Sequence, residues 1–452
     1  MRKYSFGFCG GAYGDEGKGR IVDEYVHKYS AKHPVVVYRD NGGANAGHTV
    51  ELPGGQRVAF HQLPSGVFHK NTTLVLGKGM VIHPADLAEE IKSVIEVTGN
   101  AIPASILIDE MAVLSLDTHR AYEAALKTQM EGGKGATGRG IAPAYADILL
   151  RHPLRIRDII NNNSDAIRRH YQLYQALLNG LGMDLKAVKV PALNNTDGIT
   201  VGTEAEFTGR LIKNTGILKK YIADIHQFIS KTWAEPDTVY IFEKAQAVGL
   251  DYRYGVYPDV SVSDTTFGGI FSATEGIIDP ADIKMRAAVI KATYMSSVGT
   301  RILPTVMDDV QANKIREDAF EYGATTKRPR GIAYLDIPAL KFFKIAGGIN
   351  SHILTHMDVV YPDQPVQVCV SYTRNGITAG YRPDQTYLLG VRPVYEQFRP
   401  WDKKSIQSAR KYQDIPDEAK LFLKAISRLL DTKIILITTG PQRDQSITIP
   451  IG

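Results

Sequence analysis

Residues 10–20 read Gly10-Gly11-Ala12-Tyr13-Gly14-Asp15-Glu16-Gly17-Lys18-Gly19-Arg20, directly after the apolar run Tyr4–Cys9. A short strand, a glycine-rich turn carrying two acids and a lysine, and then a helix form a phosphate cradle. Glycines let backbone N–H groups crowd an anion, and the helix N-terminus adds a favourable dipole. The spacing is not that of the ordinary P-loop, which places four residues between its glycines and a Ser or Thr after the lysine to hold magnesium. Here five residues separate Gly11 from Gly17, and Gly19 follows Lys18. A magnesium ligand must come from elsewhere, and Asp15, inside the loop, is the candidate. A carboxylate in a phosphate cradle is costly unless it holds a metal or does chemistry; a solvated glycine-rich turn is the alternative reading.

Around this loop the chain alternates strand-length apolar runs with longer periodic stretches. Runs fall at Tyr4–Cys9, Val35–Tyr38, Val58–Leu63, Leu74–Leu76, Ser105–Ile108, Val239–Phe242, Val366–Tyr372 and Ile434–Thr438. Periodic stretches fall at Lys18–Tyr29, Pro84–Val97, Asp117–Thr128, Asn163–Leu181, Glu204–Trp233, Gln311–Tyr322 and Glu418–Leu430. The alternation predicts an α/β fold with a large, mostly parallel central sheet flanked by helices. Ligands of such sheets sit beyond the carboxyl ends of the strands, where the Gly10–Gly19 loop falls. Residues 132–160 and 251–305, rich in Gly, Pro, Ser, Thr and Tyr, read as active-site loops.

The 452 residues are 44% hydrophobic and 22% charged, values of a soluble globular protein. A net charge of +5 suits anionic small molecules and is too small to argue for nucleic acid. Cys9 and Cys369 lie in apolar runs and read as buried thiols in a reducing compartment. No apolar run approaches the ~18 residues of a membrane span, and the N-terminus enters a strand at once, so a cytoplasmic location is expected.

Four further clusters carry chemistry. Asn41-Gly42-Gly43-Ala44-Asn45-Ala46-Gly47-His48-Thr49 follows a strand and sets one Asn and one His among small residues. A lone His is usually structural, but one beside a second glycine-rich loop reads as functional. Gly133 to Tyr145 combines glycines, Thr137 and cations, with Arg151 and Arg155 nearby. Phe242-Glu243-Lys244-Ala245-Gln246 ends a strand on an amide that can donate and accept in one plane. Gly323 to Arg330 holds two hydroxyls and three cations, which suit a dicarboxylate or a phosphate. Alone, that last stretch would read as a solvated basic loop.

Taken in order, these clusters resemble adenylosuccinate synthetase over nearly the whole chain. The family's Gly-Asp-Glu-Gly-Lys-Gly-Lys stands here as Gly14 to Arg20, and Gly-Gly-x-Asn-Ala-Gly-His-Thr as Gly42 to Thr49. His61 to Gly66, Gly77 to His83, Thr137 to Tyr145 and Thr439 to Arg443 match further signatures. The resemblance implies one domain over residues 1–452 and a reaction joining L-aspartate to the 6-oxo position of IMP, with GTP and Mg2+. It implies that Asp15 takes the purine N1 proton, that O6 attacks the γ-phosphate, and that His48 stabilises the departing phosphate. Asp15 and the carbonyl of Gly47 would hold the metal. Gly14, Glu16, Gly17, Lys18, Gly19 and Thr49 would hold the triphosphate; Asp358, Thr438, Gly440 and Pro441 would hold its guanine. The purine monophosphate would meet Asn45, Thr137, Gln246, Ser261, Val298 and Arg328, with Arg151 reaching across a homodimer that shares its active sites. Thr325, Thr326, Arg328 and Arg330 would clamp aspartate.

Several positions depart from the family. Its Gly-Ala-Gln-Gly becomes Lys244-Ala245-Gln246-Ala247, its Thr-Ser-Ser-Asn becomes Ser261-Val262-Ser263-Asp264, and its Arg-Val-Gly becomes Ser297-Val298-Gly299. Its Thr-Lys-x-Asp becomes Thr355-His356-Met357-Asp358, and Arg-Arg-Thr-Gly-Trp becomes Arg330-Gly331-Ile332-Ala333-Tyr334. Loss of the cation at Ser297 is expected to open space for a 2-amino group. That keeps a sister reaction in view: the same chemistry on dGMP, with GTP or ATP as donor, as in phage relatives. Retention of Asp15 counts against the phage form that has lost this acid. An inactive nucleotide-binding homologue is disfavoured by retention of Asp15, Lys18, His48, Thr137 and Arg328, and an ordinary P-loop kinase or GTPase by the loop spacing.

Overall fold

The strand Arg2–Gly10 runs through the centre of the computed structural model, and its side chains feed two separate apolar interiors. Phe6 and Phe8 point into one, Cys9 into the other. Its neighbours repeat the alternation: Val35 and Val37 against Val36 and Tyr38, and Val239 and Ile241 against Tyr240 and Phe242. A sheet covered on both faces requires apolar residues at both parities, which is why these segments read as continuous hydrophobic runs. Gly7 is small for a packing reason: a Cβ there would lie 2.6 Å from the Phe267 ring. The structure describes residues 2–51, 57–99, 101–129, 137–193, 195–323 and 329–450.

Ten strands make the main sheet, in the order Ile222–Ala223, Ser105–Asp109, Thr72–Leu76, Val35–Arg39, Val239–Ala247, Arg2–Gly10, Ile283–Lys291, Ser351–Thr355, Lys433–Thr438 and Ser446–Thr448. Every pairing is parallel except the last. A second sheet, built on Gly331–Asp336 and Val366–Arg374, stands beside it. Among the described residues no helix is long and apolar enough to cross a membrane. Cys9 and Cys369 are buried free thiols, and burial pushes the Cys9 thiol up to about 12.

Three segments differ from the sequence-based expectation. Residues 251–305, read as loop, contain the strand Ile283–Lys291, which pairs directly with the central one. Its Lys284 and Arg286 and its two alanines conceal the strand pattern, since alanine and lysine are depleted in strands. Residues 132–160 contain the helices Ile141–Leu150 and Ile156–Ile160. The periodic stretch Glu204–Trp233 is not one helix. It stops at Leu218, lends Ile222–Ala223 to the sheet edge, and restarts at Ile225, where the Asp224 side chain accepts the Gln227 N–H at 3.0 Å. Asp is among the strongest N-caps, so it favours a new helix start over continuation.

Gly7→Ala is expected to destabilise the fold by about 1–3 kcal/mol, the cost of overpacking a filled interior. Gly209, inside the helix Glu204–Leu218 with open space around it, serves as the contrast. Gly209→Ala should be neutral or stabilising by about 0.5–1 kcal/mol. Urea unfolding of the two variants against the parent chain checks both signs.

Candidate active site

The cradle is shaped from inside by Glu16, which is 2% exposed. Its Oε1 accepts the N–H groups of Ala12 (3.2 Å) and Gly14 (2.7 Å), and its Oε2 meets the Lys18 ammonium at 3.2 Å. The Thr355 hydroxyl donates to the Glu16 carbonyl at 2.9 Å, fastening the loop to the end of another strand. Glu16, expected among the triphosphate residues, thus turns its carboxylate onto the loop itself. Gly14 and Gly17 adopt φ of 101° and 89°, which favours glycine at both. Asp15 between them also sits in the left-handed region, at φ 59°, where Asp is tolerated at a cost of about 1–2 kcal/mol. Its carboxylate faces outward and accepts from the Arg330 guanidinium.

His48 opens the strand His48–Glu51 and packs against the helix that follows the cradle. A Cβ on Gly19 would lie 2.7 Å from the His48 Cβ, so the close approach depends on glycine. The imidazole Nε2 is 3.9 Å from Glu243 Oε1 and has no hydrogen-bond partner among the described residues. Burial, reinforced by the Arg39 guanidinium, lowers the His48 pKa to about 3 and keeps the ring neutral. Glu243 is fixed by the Ser65 N–H (2.7 Å) and hydroxyl (2.9 Å). Ser65 and Glu243 fall inside stretches quoted as motifs but received no role there, and Arg39 lies outside every quoted motif.

Three residues beyond Glu243, Gln246 adopts φ 59° near the end of the same strand. The Ser263 hydroxyl is 3.4 Å from its Oε1, 3.0 Å from Asn41 Nδ2 and 3.1 Å from the Ser261 hydroxyl. Asn41 Oδ1 accepts the Ala245 N–H at 2.8 Å, and Asn45 Oδ1 is buried without a partner among the described residues. The departure at Lys244 is neutralised internally: its ammonium pairs with Asp40, and both side chains are buried. The expectation for Ser297 needs correction. Ser297 opens no space among the described residues: it is buried, its Oγ accepts from Arg301 Nη1 at 3.1 Å, and the Arg301 guanidinium lies beside it, 4.9 Å from the Tyr13 ring. Thr137 is exposed, and Arg151 ends the helix Ile141–Leu150 in an exposed left-handed turn (φ 67°).

At two further strand ends, the His356 N–H donates to the Thr438 hydroxyl (3.3 Å) and the Gln407 amide donates to Asp358 Oδ2 (3.3 Å). Gly440 lies close to the Gln445 side chain, and Pro441 is exposed. His356 adjoins Lys291, Glu321 and Tyr294; burial, with Lys291 second, lowers its pKa to about 4. Thr49 follows His48 with its backbone paired to Ala59, and Gly47 precedes it on the exposed side. Thr325, Thr326 and Arg328 lie outside the described residues. The base of their loop is set by the pairing of Tyr322 with Pro329 and by the Arg330 N–H donating to the Glu321 carbonyl at 2.9 Å.

A separate group, His119, Asp147 and His170, brings three ligand-type atoms within 4.8 Å of one another. Its hydrogen bonds describe a structural network instead of a metal set. His119 Nδ1 accepts the Leu116 N–H (2.9 Å), so its Nε2 carries the proton given to Asp147 (2.9 Å) and offers no lone pair. Tyr174 donates to the other oxygen of Asp147 at 2.8 Å. The network anchors the helix that ends at Arg151.

The strand ends, the variant glycine loop and the buried imidazole define a class: an α/β enzyme with a P-loop-like nucleotide site. The family model of adenylosuccinate synthetase matches residues 8–447. The adenylosuccinate synthetase of Clostridium acetobutylicum is 32% identical over 449 residues, covering 98% of this chain and 99% of its own. That of Thermodesulfovibrio yellowstonii is 33% identical over 443 residues, covering 97% of each. The fully ligated Plasmodium falciparum adenylosuccinate synthetase superposes with a TM-score of 0.85 at 29% identity, over 99% of this chain and 100% of its own. The succinoaminodeoxyadenylate synthetase of cyanophage S-2L, bound to dGMP and dATP, shares the fold at a TM-score of 0.58 and 15% identity, over 100% of this chain and 97% of its own. The chain belongs to the adenylosuccinate synthetase family.

Buried neutral histidines give the fold a defined acid response. His48, His352 and His356 have folded pKa values of about 3, 3 and 4, lowered by burial from 6.5. Below pH 6.5 the unfolded chain takes up protons that the folded chain refuses. Stability is therefore full above that pH and is lost as pH falls toward 4, by up to about 1.4 kcal/mol per pH unit for each histidine. His352 is buried with Nδ1 unpartnered and has no place in the site. His352→Gln should flatten the dependence of the urea midpoint on pH between 7 and 5, measured by circular dichroism; an unchanged slope would refute the assignment.

Proposed function

We propose that this chain joins L-aspartate to C6 of IMP while converting GTP to GDP and phosphate, giving adenylosuccinate. The observation that carries the reading is the pairing of an outward carboxylate in a left-handed turn of the cradle, Asp15, with a neutral imidazole held against Gly19, His48. Asp15 accepts the N1 proton of the purine, charge moves to O6, and O6 attacks the γ-phosphorus with departure of GDP. The aspartate amine then displaces phosphate from C6. His48 offers a preorganised hydrogen-bond donor to the transferring phosphoryl oxygens, and an arriving phosphate anion favours its protonated form. Lys18 and the amides of Glu16, Gly17 and Gly19 would surround the phosphates, with Thr49 beside them and Gly14, whose N–H is given to Glu16, shaping the turn around them.

Enzymes of this family use Mg2+. The donors here suit a hard cation, since Asp15 and the Gly47 carbonyl both offer oxygen. Bound Mg2+ neutralises charge building on the phosphates. Asp15 is paired with Arg330 in the structure, so Arg330 must let go before Asp15 serves as base or ligand. Arg330 would turn to an aspartate carboxylate, with Thr325, Thr326 and Arg328 completing that clamp.

Gln246, placed among Ser263, Asn41 and Ser261, would read the 6-oxo edge, with Asn45, Thr137 and Ser261 on the 5′-phosphate and Val298 and Arg328 at the ribose. IMP is favoured over dGMP because the Arg301 guanidinium lies beside buried Ser297. GTP is favoured over ATP because the Asp358 carboxylate matches the N1–H and N2–H donors of guanine, which adenine lacks; Thr438, Gly440 and Pro441 line that base. A homodimer with shared sites is supported by exposed Arg151 beside Leu149 and Leu150, which are 84% and 65% exposed. One sheet taking strands from Arg2 to Thr448 supports a single domain over residues 1–452, and the absence of a spanning helix among the described residues is compatible with the cytoplasm.

An assay with IMP or dGMP, GTP or ATP, aspartate and Mg2+, watching for succinylated nucleotide, tests the reading. IMP with GTP should give the highest kcat/KM, and a higher value for dGMP would overturn the acceptor. Asp15→Asn should abolish turnover while leaving triphosphate binding largely intact. His48→Ala should lose a factor of about 10²–10³ in kcat, the loss typical of one preorganised transition-state donor. Mixing an Arg151→Leu chain with an Asp15→Asn chain should restore part of the activity, because one hybrid site is intact; no recovery would refute site sharing.

A further inference from the structure

We propose that Arg301 is a positioning residue for the acceptor nucleotide: its guanidinium locks the ribose-facing segment Ser297–Gly299 onto the phosphate cradle. The proposal rests on the reading of Val298 as a ribose contact. Arg301 is 9% exposed and reaches three chain segments at once. Nη1 donates to Ser297 Oγ (3.1 Å), Nη2 donates to the Asp259 carbonyl, and the guanidinium lies 4.9 Å from the centre of the Tyr13 ring. Tyr13 belongs to the cradle and pairs in parallel with Ser297; Gly14 lies against Val298, where a Cβ would meet its side chain at 3.6 Å. Asp259 stands two residues before Ser261 and accepts the Thr300 hydroxyl at 3.1 Å. Gly299 adopts φ 90° with no room for a Cβ beside Asp259.

Only a planar fork can make these contacts together; a lysine ammonium is a point donor. The arrangement is not one that stability alone would select. Arg301 Nε is buried with no partner among the described residues, and burial lowers the Arg301 pKa. An unpartnered buried donor is destabilising, and a well-packed apolar side chain of similar volume would relieve it. The contacts therefore trade stability for the geometry of the wall. They also supply a guanidinium beside Ser297 from four residues downstream of the point where the family's pattern has its arginine.

The test compares Arg301→Met, Arg301→Lys and the transposed pair Ser297→Arg/Arg301→Ser in the full chain. IMP binding is measured by calorimetry, and KM is measured for IMP, GTP and aspartate. Arg301→Met should melt at or above the parent temperature. Its IMP affinity should drop about tenfold or more, as expected for losing charge-assisted hydrogen bonds that hold a binding wall. KM for GTP and aspartate should stay within about twofold, a split that general destabilisation would not produce. Arg301→Lys should behave like Arg301→Met, and the transposed pair should recover IMP affinity to within about threefold. Parent-like IMP binding by Arg301→Met or Arg301→Lys, or equal weakening of all three substrates, overturns the role of Arg301 alone. Should Arg301→Met not fold, a folded transposed pair that binds IMP upholds the proposal, and one that does not overturns it. A parent chain that binds neither IMP nor dGMP overturns the proposed function, and this role with it.

Discussion

The geometry of the phosphate cradle depends on one buried carboxylate. Glu16 accepts two backbone N–H groups of its own loop, pairs with Lys18, and leaves its carbonyl to Thr355 on a different strand. A buried carboxylate is tolerated only when its lone pairs are met, and here the loop that needs shaping supplies the partners. The same inward turn frees Asp15, its neighbour, to face outward. Gly10 completes the constraint, since a Cβ there would lie 2.4 Å from Glu16 Oε2. Two adjacent acids in one loop thus have opposite tasks, set by the direction of the backbone between two left-handed glycines.

The positions at which the chain leaves its family's pattern are not scattered over the site. Lys244 is met by Asp40, and Asp264 lies close enough for the lysine charge to hold its pKa down against burial. Ser297 is met by Arg301, which in turn holds Asp259. A buried cation without a counter-charge would cost several kcal/mol, so such changes survive only in compensating groups. Asp15, Lys18 and His48 stand outside these groups. Under the proposed reaction, divergence has reworked the backing of the nucleotide walls and left the groups assigned to the reacting phosphorus unchanged.

Much of this was legible in the chain itself. The strands Tyr4–Cys9, Val35–Tyr38 and Val239–Phe242 announce themselves because both faces of a covered sheet are apolar. The glycine cradle follows because close approach to an anion leaves little choice of residue. The strand Ile283–Lys291 escaped notice because it is carried by neighbours on both sides, not by its own propensity. Glu16 and Arg301 were obscure for another reason. Whether an acid faces a ligand or its own backbone, and whether a guanidinium lies beside a residue four positions earlier, are facts of side-chain direction that spacing does not encode. Asp147 and its histidine partners show the converse: their residue types suggest a metal, and only the proton positions set by Leu116 and Tyr174 remove that reading.

The topology explains why one edge carries so much. Parallel strands deliver Gly10, Arg39, Ala247, Lys291, Thr355 and Thr438 to the same side of the sheet, and every segment that follows them begins at the site. The groups that come from elsewhere are those to which the proposed reaction gives movement or sharing. Arg330 enters from a loop whose base is pinned at Tyr322 and Pro329, and Arg151 from the exposed end of a helix. Residues fixed at strand ends can be preorganised at little entropic cost, because the sheet has already ordered them. In the proposed reaction Arg330 covers Asp15 and then releases it, and such a residue cannot be held that way. Under the proposed reaction the division follows from what each group has to do: Glu16 and His48 stay, and Arg330 lets go.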